Sequence, residues 1–205
     1  MGINLRFVNN SNEVDNQSIV VFQKNESTGD SEIPLAWLVI EGCGQNAYHP
    51  FVYPTTMQVS AGDSQGNFMP NLNAQPGQSF ELVESDSGNV LQPNGDAGFP
   101  TEIDLCNNLS MGSIDAWVFK AKRKLARKTD VVPGDKASFK FLPKLWIGAV
   151  SQIVEGDVMD SAVVDQINTN FDLTGIASAD IVMTGGGIGP TAKGNTFQLK
   201  NVVRV

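Results

Sequence analysis

Residues 113–150, SIDAWVFKAKRKLARKTDVVPGDKASFKFLPKLWIGAV, hold both the clearest periodicity in the chain and its strongest charge anomaly. From Ala137 to Phe141 the side chains alternate. Ala137, Phe139 and Phe141 share one face and Ser138 and Lys140 the other, the pattern of a half-buried strand. Pro133-Gly134-Asp135 before it is turn chemistry, because proline presets its backbone angle and glycine tolerates the reversal. Residues 145–150 are apolar almost throughout, which suits a short strand covered on both faces. Residues 114–128 read as a hairpin with a basic tip.

Working outward, further strands are expected at residues 3–8, 18–24, 35–40, 51–53, 57–61, 80–83, 167–173, 179–184 and 197–203. Clusters of Asn, Gly, Ser and Pro separate them at the short intervals of antiparallel sandwiches. Helical spacing is confined to residues 157–167, where Val158, Ala162, Val163 and Ile167 line one face behind Asp157 as N-cap. The expected fold class is therefore all-β, an antiparallel β-sandwich architecture with at most one short helix.

A faint internal repeat runs through this pattern. Leu5-Arg6-Phe7-Val8-Asn9-Asn10 matches Ile103-Asp104-Leu105-Cys106-Asn107-Asn108, and Val21-Phe22 and Val118-Phe119 follow. Phe51, Tyr53 and Pro54 resemble Phe139, Phe141 and Pro143. The offset is close to half the chain. It suggests two similar sandwich halves, residues 1–99 and 100–205, meeting in QPNGDAGFP (residues 92–100); a single 205-residue β domain is the alternative.

The 205 residues are 41% hydrophobic and 18% charged, enough to bury a core without a metal or disulfide. MGINLRFVNN lacks the apolar centre of a secretory leader, and the longest clean apolar run, residues 35–40, is too short to span a bilayer. The expectation is a soluble protein with no transmembrane segment, cytoplasmic as synthesised, for which release without a signal peptide is left open. Cys43 and Cys106 are expected as reduced thiols.

Charge is unevenly spread. The net value is −8, with −9 in residues 1–100 and +7 in residues 120–144. Lys120, Lys122, Arg123, Lys124, Arg127 and Lys128 form a basic arm on an acidic body. A nucleic-acid site would call for a broadly basic surface with stacking aromatics, so nucleic acid is disfavoured as a partner. Another copy of the chain, a glycan, a surface or a protein ligand is preferred. His49, Phe51 and Tyr53, in the aromatic-proline run HPFVYP, form a second candidate binding patch, weighed against an edge strand that inserts Phe51 into the core.

Several catalytic patterns almost appear. Gly62-Asp63-Ser64-Gln65-Gly66 has G-x-S-x-G spacing, but Pro70, Pro76 and Gly77 deny it the following helix, and His49 precedes the serine. Gly187–Ala192 imitates a dinucleotide loop without the helix and second parallel strand that loop serves. One histidine and two cysteines cannot build a usual zinc site, and the turn at residues 84–89 misses calcium-loop spacing. No catalytic residue, metal or cofactor is expected. The expected function is a non-enzymatic binding or interaction protein that presents loops from a β-sandwich scaffold. A self-assembling structural subunit is the alternative, and an unidentified hydrolase comes third.

Overall fold

A computed structural model of the chain describes residues 2–13, 17–27 and 33–205. Nearly every described element is a strand. In chain order they are β1 (Gly2–Asn9), β2 (Ser18–Phe22), β3 (Leu38–Ile40), β4 (Tyr48–Pro54), β5 (Met57–Asp63), β6 (Leu72–Ala74), β7 (Gln78–Ser85) and β8 (Gly88–Asp96). There follow β9 (Ile103–Asn107), β10 (Ile114–Lys120), β11 (Arg123–Val131), β12 (Lys136–Phe139), β13 (Lys144–Val150), helix α1 (Ser161–Gln166), β14 (Asn170–Asp172), β15 (Ile176–Gly186) and β16 (Lys193–Arg204). The all-β, mostly antiparallel, sandwich-like class follows from the alternation that builds these strands. In β1, Ile3, Leu5 and Phe7 are buried between more exposed neighbours.

Two details depart from expectation. Helix α1 begins at Ser161, with Asp160 as N-cap accepting from the Ala162 N–H at 2.8 Å. Val158 instead forms an extended bridge with Leu35, so the backbone before Asp160 cannot be helical. The stretch proposed as a linker is largely strand, since β8 pairs with β7 through Gln92, Pro93 and Asp96. Proline is tolerated there because β8 ends its sheet and needs no donor on its outer side.

The chain divides into two compact units, and neither is the contiguous half 1–99 or 100–205. Unit 1 takes residues 1–23, 35–55 and 143–205, whereas unit 2 takes residues 24–34 and 56–142. Unit 1 has sheets of order β16-β15-β1-β4 and β14-β13-β2-β3; unit 2 has β12-β9-β7-β8 and β11-β10-β5-β6. Each contains a single parallel pair among the described strands, β1 with β15 and β7 with β9.

The pairing scheme is the same in both. With β1 set on β9, the partners of the first sheet correspond as β15 to β7, β4 to β12 and β16 to β8. In the second sheet β2 corresponds to β10, β13 to β5, β3 to β11 and β14 to β6. The run β1–β4 thus matches β9–β12, and β13–β16 matches β5–β8. Each unit joins a run from one half of the chain to a run from the other.

Individual bonds agree with this correspondence. Asn9 Nδ2 donates to Cys43 O at 2.7 Å and Asn107 Nδ2 to Val131 O at 2.8 Å. Their Oδ1 atoms accept from the N–H two residues on, at Ser11 and Leu109. Asn10 N–H donates to Met183 O, as Asn108 N–H does to Leu82 O. Asn46 and Gly134, both with positive φ, donate their N–H groups to Asn9 O and Asn107 O. A buried asparagine in each unit therefore ties the end of a central strand to a neighbouring loop.

Replacing Asn9 by alanine takes the partner from Cys43 O and the Ser11 N–H, and replacing Asn107 takes it from Gly112 O, Val131 O and the Leu109 N–H. Each variant is expected to lose about 2 kcal/mol of unfolding free energy. The exposed Asn10→Ala should stay within about 0.5 kcal/mol of the parent. Urea titration measures all three.

Candidate functional site

Where the connections of the two units differ, unit 1 opens a cleft. In unit 2 the connection from β5 to β6 is the short turn of residues 64–71. Asp63 closes it: Oδ1 accepts from Gln65 N–H and Asn67 N–H, and Oδ2 accepts from the Nδ2 groups of Asn67 and Asn89, all within 2.9–3.1 Å. These bonds, that from the Asn67 side chain foremost, hold the Asp63 carboxyl below the usual range. The Phe68 ring lies over Gly62, filling the space a Cβ would take.

The matching connection in unit 1, residues 151–169, is more than twice as long and contains α1. Met159, Val164 and Ile167 pack on Val20, Phe22, Ala36, Trp146 and Val150, so β2 and β13 are covered on both faces. Gly148 admits this layer, because a Cβ there would lie 2.5 Å from Ile167 Cγ1. The helix is held off the end of β13, leaving a cleft of about 430 Å³.

Its polar lining comes from Gln17, Ser151, Gln152, Gln166, Asn168, Thr169 and Asn195, beside Val163, Ile167, Phe197 and residues 147–150. Asn195 sits just after Gly194, near the start of β16 where it pairs back on β15. The approach there is tight: Gly185 has φ +99°, and a Cβ on it would lie 2.3 Å from Gly194 O. Asn195 Nδ2 donates to Gln17 Oε1 at 3.2 Å and Glu13 Oε2 at 3.4 Å, while its Oδ1 is buried with no partner among the described residues. Among the described residues the lining offers amide and hydroxyl hydrogen bonds and no ionisable side chain.

The residues singled out from sequence lie elsewhere. Ala121 and Lys122, with φ of 53° and 64°, form the two-residue turn between β10 and β11, and the basic groups follow along β11. Lys124 Nζ and Arg127 Cζ sit 4.8 and 4.7 Å from the Trp117 ring centre, and Arg127 Nη2 pairs with Asp115 at 2.6 Å. Trp117 is only 6% exposed, too covered to serve as a stacking platform. Lys122 and Lys124 are exposed, whereas Arg123, Arg127 and Lys128 are half-buried. Lys120 departs from the picture of a wholly solvated arm, being 4% exposed.

On β4, His49 is exposed and Phe51 half-buried, while Tyr53 is buried. Both aromatic rings pack edge-on to Trp37 at 6.4 and 6.0 Å. Tyr53 O–H donates to Gln23 Oε1, and burial pushes its phenol up to about 12. Ser64 lies in the turn that Asp63 closes, with no helix after it. Among the described residues no group of three or more His, Cys, Asp or Glu side chains is placed to hold a metal ion, and no helix is long and apolar enough to cross a membrane. Compared with protein-family models, curated proteins and solved structures, the chain matches none.

Lys120 yields a pH prediction. Burial pushes its ammonium from 10.5 down to about 7. Between these values the unfolded chain binds a proton that the folded chain does not, so stability from this group rises with pH. Below about 7 the folded protein carries the buried charge in full. Lys120→Met, which keeps the apolar stem, is expected to raise Tm most at or below that pH and to lose the advantage as pH approaches 10.5. Calorimetry across the window measures it.

Proposed function

We propose that the chain is a non-enzymatic binding protein whose site is the cleft of unit 1 beside β13, α1 and β16. The observation that supports this most is the cleft itself, about 430 Å³ lined, among the described residues, by uncharged hydrogen-bonding groups. On this reading the two units are copies of one eight-strand scheme. Unit 2 keeps the plain turn, and unit 1 has gained a helical connection that makes room for a ligand.

A ligand that binds only the folded state stabilises it by about 2.7 kcal/mol at a hundredfold excess over its dissociation constant. Thermal melts against a chemically mixed small-molecule library are therefore expected to give hits that raise Tm by roughly 5–10 °C. Ala149→Trp, which fills the cleft from a half-buried position, should abolish those shifts with the fold intact. Hits that stabilise the variant as well as the parent would defeat the proposal.

A second reading, a self-assembling subunit, draws on the concentration of basic groups along β11 against an acidic remainder. Such attraction acts over about 8 Å at physiological salt. It predicts oligomers in light scattering that shrink as salt rises and disperse in Lys122→Glu with Lys124→Glu. A monomer at low salt and high concentration would remove it.

A further inference from the structure

We infer that the cleft of unit 1 takes a neutral, polyhydroxylated ligand of the size of a mono- or disaccharide. The inference rests on the binding reading above and gives it a chemical class. Charge is the first discriminator. The chain carries 36 charged side chains by count of its acidic and basic residues, yet none of those among the described residues lines the cleft. A phosphate, carboxylate or ammonium ligand would lose its hydration there without gaining a counter-charge.

The polar groups that do line it are carboxamides and hydroxyls. A carboxamide offers two donors and an acceptor side by side, and a sugar hydroxyl both donates and accepts, so the two classes match in either direction. The orientation of Asn195 is set by its own bonds, because Nδ2 donates to Gln17 Oε1 and Glu13 Oε2. Those bonds fix the Asn195 side chain in the cleft wall, with its Oδ1 buried.

The backbone adds a second fixed edge. Pairing of β14 with β13 stops at Trp146, after which the Ile147 N–H donates to Thr169 O. By strand alternation, the N–H and C=O of Ala149 point to the same side, where the lining residues 166–169 border the cleft. The edge left open, residues 148–150, is too short for an added peptide strand but suits one ring of hydroxyls. Half-buried Phe197 supplies an apolar surface for the C–H face of a pyranose, and about 430 Å³ lies within the usual range of ligand pockets. In unit 2 the position matching Asn195 is Asn89, which donates to the Asp63 carboxylate and closes the space. One sugar site per chain is therefore expected.

The test is an amide-resonance NMR titration of the full chain with glucose, galactose, mannose, N-acetylglucosamine, maltose, cellobiose and lactose. At least one is expected to give saturable shifts at residues 148–152, 166–169, 195 and 197, with a dissociation constant on the order of 1 mM or tighter. Gln166→Ala with Asn168→Ala, both exposed positions, is expected to weaken binding at least tenfold. Gln92→Ala, on β8, should leave it unchanged. Inorganic phosphate, glucuronate and an alanine tripeptide serve as contrasting probes. If one of these shifts the cleft resonances and no neutral saccharide does, the ligand class is wrong and the binding reading survives. If no probe and no member of the mixed library shifts them, both fall. Saccharide shifts away from the cleft, or insensitive to the double substitution, also overturn the inference.

Discussion

The parallel pairing of β1 with β15 is the constraint on which unit 1 depends. It sets residues 4–9 beside residues 178–183, with Phe7 opposite Ile181 and both fully buried. The Arg6 guanidinium clamps the register, donating to both oxygens of Asp180 at 2.8 and 2.7 Å, and Asn201 adds a bond from β16. That bonding, the Arg6 side chain first, holds the Asp180 carboxyl below its usual range. Nearly the whole chain must be gathered before these strands meet. Long-range β pairing of this kind is slow, because loop entropy is lost before the contacts return it. Unit 2, contiguous apart from residues 24–34, has no such delay.

The exchange of runs between the chain's halves also explains what sequence shows and what it hides. Alternation made β1 and β12 legible, and an unbroken apolar run made β13 so. A strand's own residues record which faces are buried. They do not record which other run supplies its partner. Because β1–β4 and β9–β12 follow the same pairing scheme, a split into contiguous halves and the exchanged arrangement call for the same order of strands along the sequence. Only the registers separate them. β8 escaped notice because Pro93 breaks its pattern, although a proline is harmless on a strand that ends its sheet.

The cleft was illegible for a different reason. Charged clusters and glycine-rich loops stand out in a sequence, as KAKRKLARK and residues 187–192 do. Gln166, Asn168 and Asn195 read as ordinary polar turn residues. Their significance comes from Ile167 seating on Gly148 and from the tight Gly185–Gly194 approach, which set their spacing. The available signal was a comparison: the β13–β14 connection is long where its counterpart β5–β6 is short.

The basic run on β11 belongs to a wider arrangement. Eight strands lie at the ends of the four sheets, and each is of a kind that resists pairing with another chain. Three of them, β3, β6 and β14, have only three residues. β4 carries Pro50 and Pro54, and β8 carries Pro93. β12 presents Lys136, and β16 presents Lys193, Lys200 and Arg204. β11, with Arg123, Lys124, Arg127 and Lys128, is the most heavily charged of the set. Two copies meeting edge to edge would oppose like charges or donorless prolines.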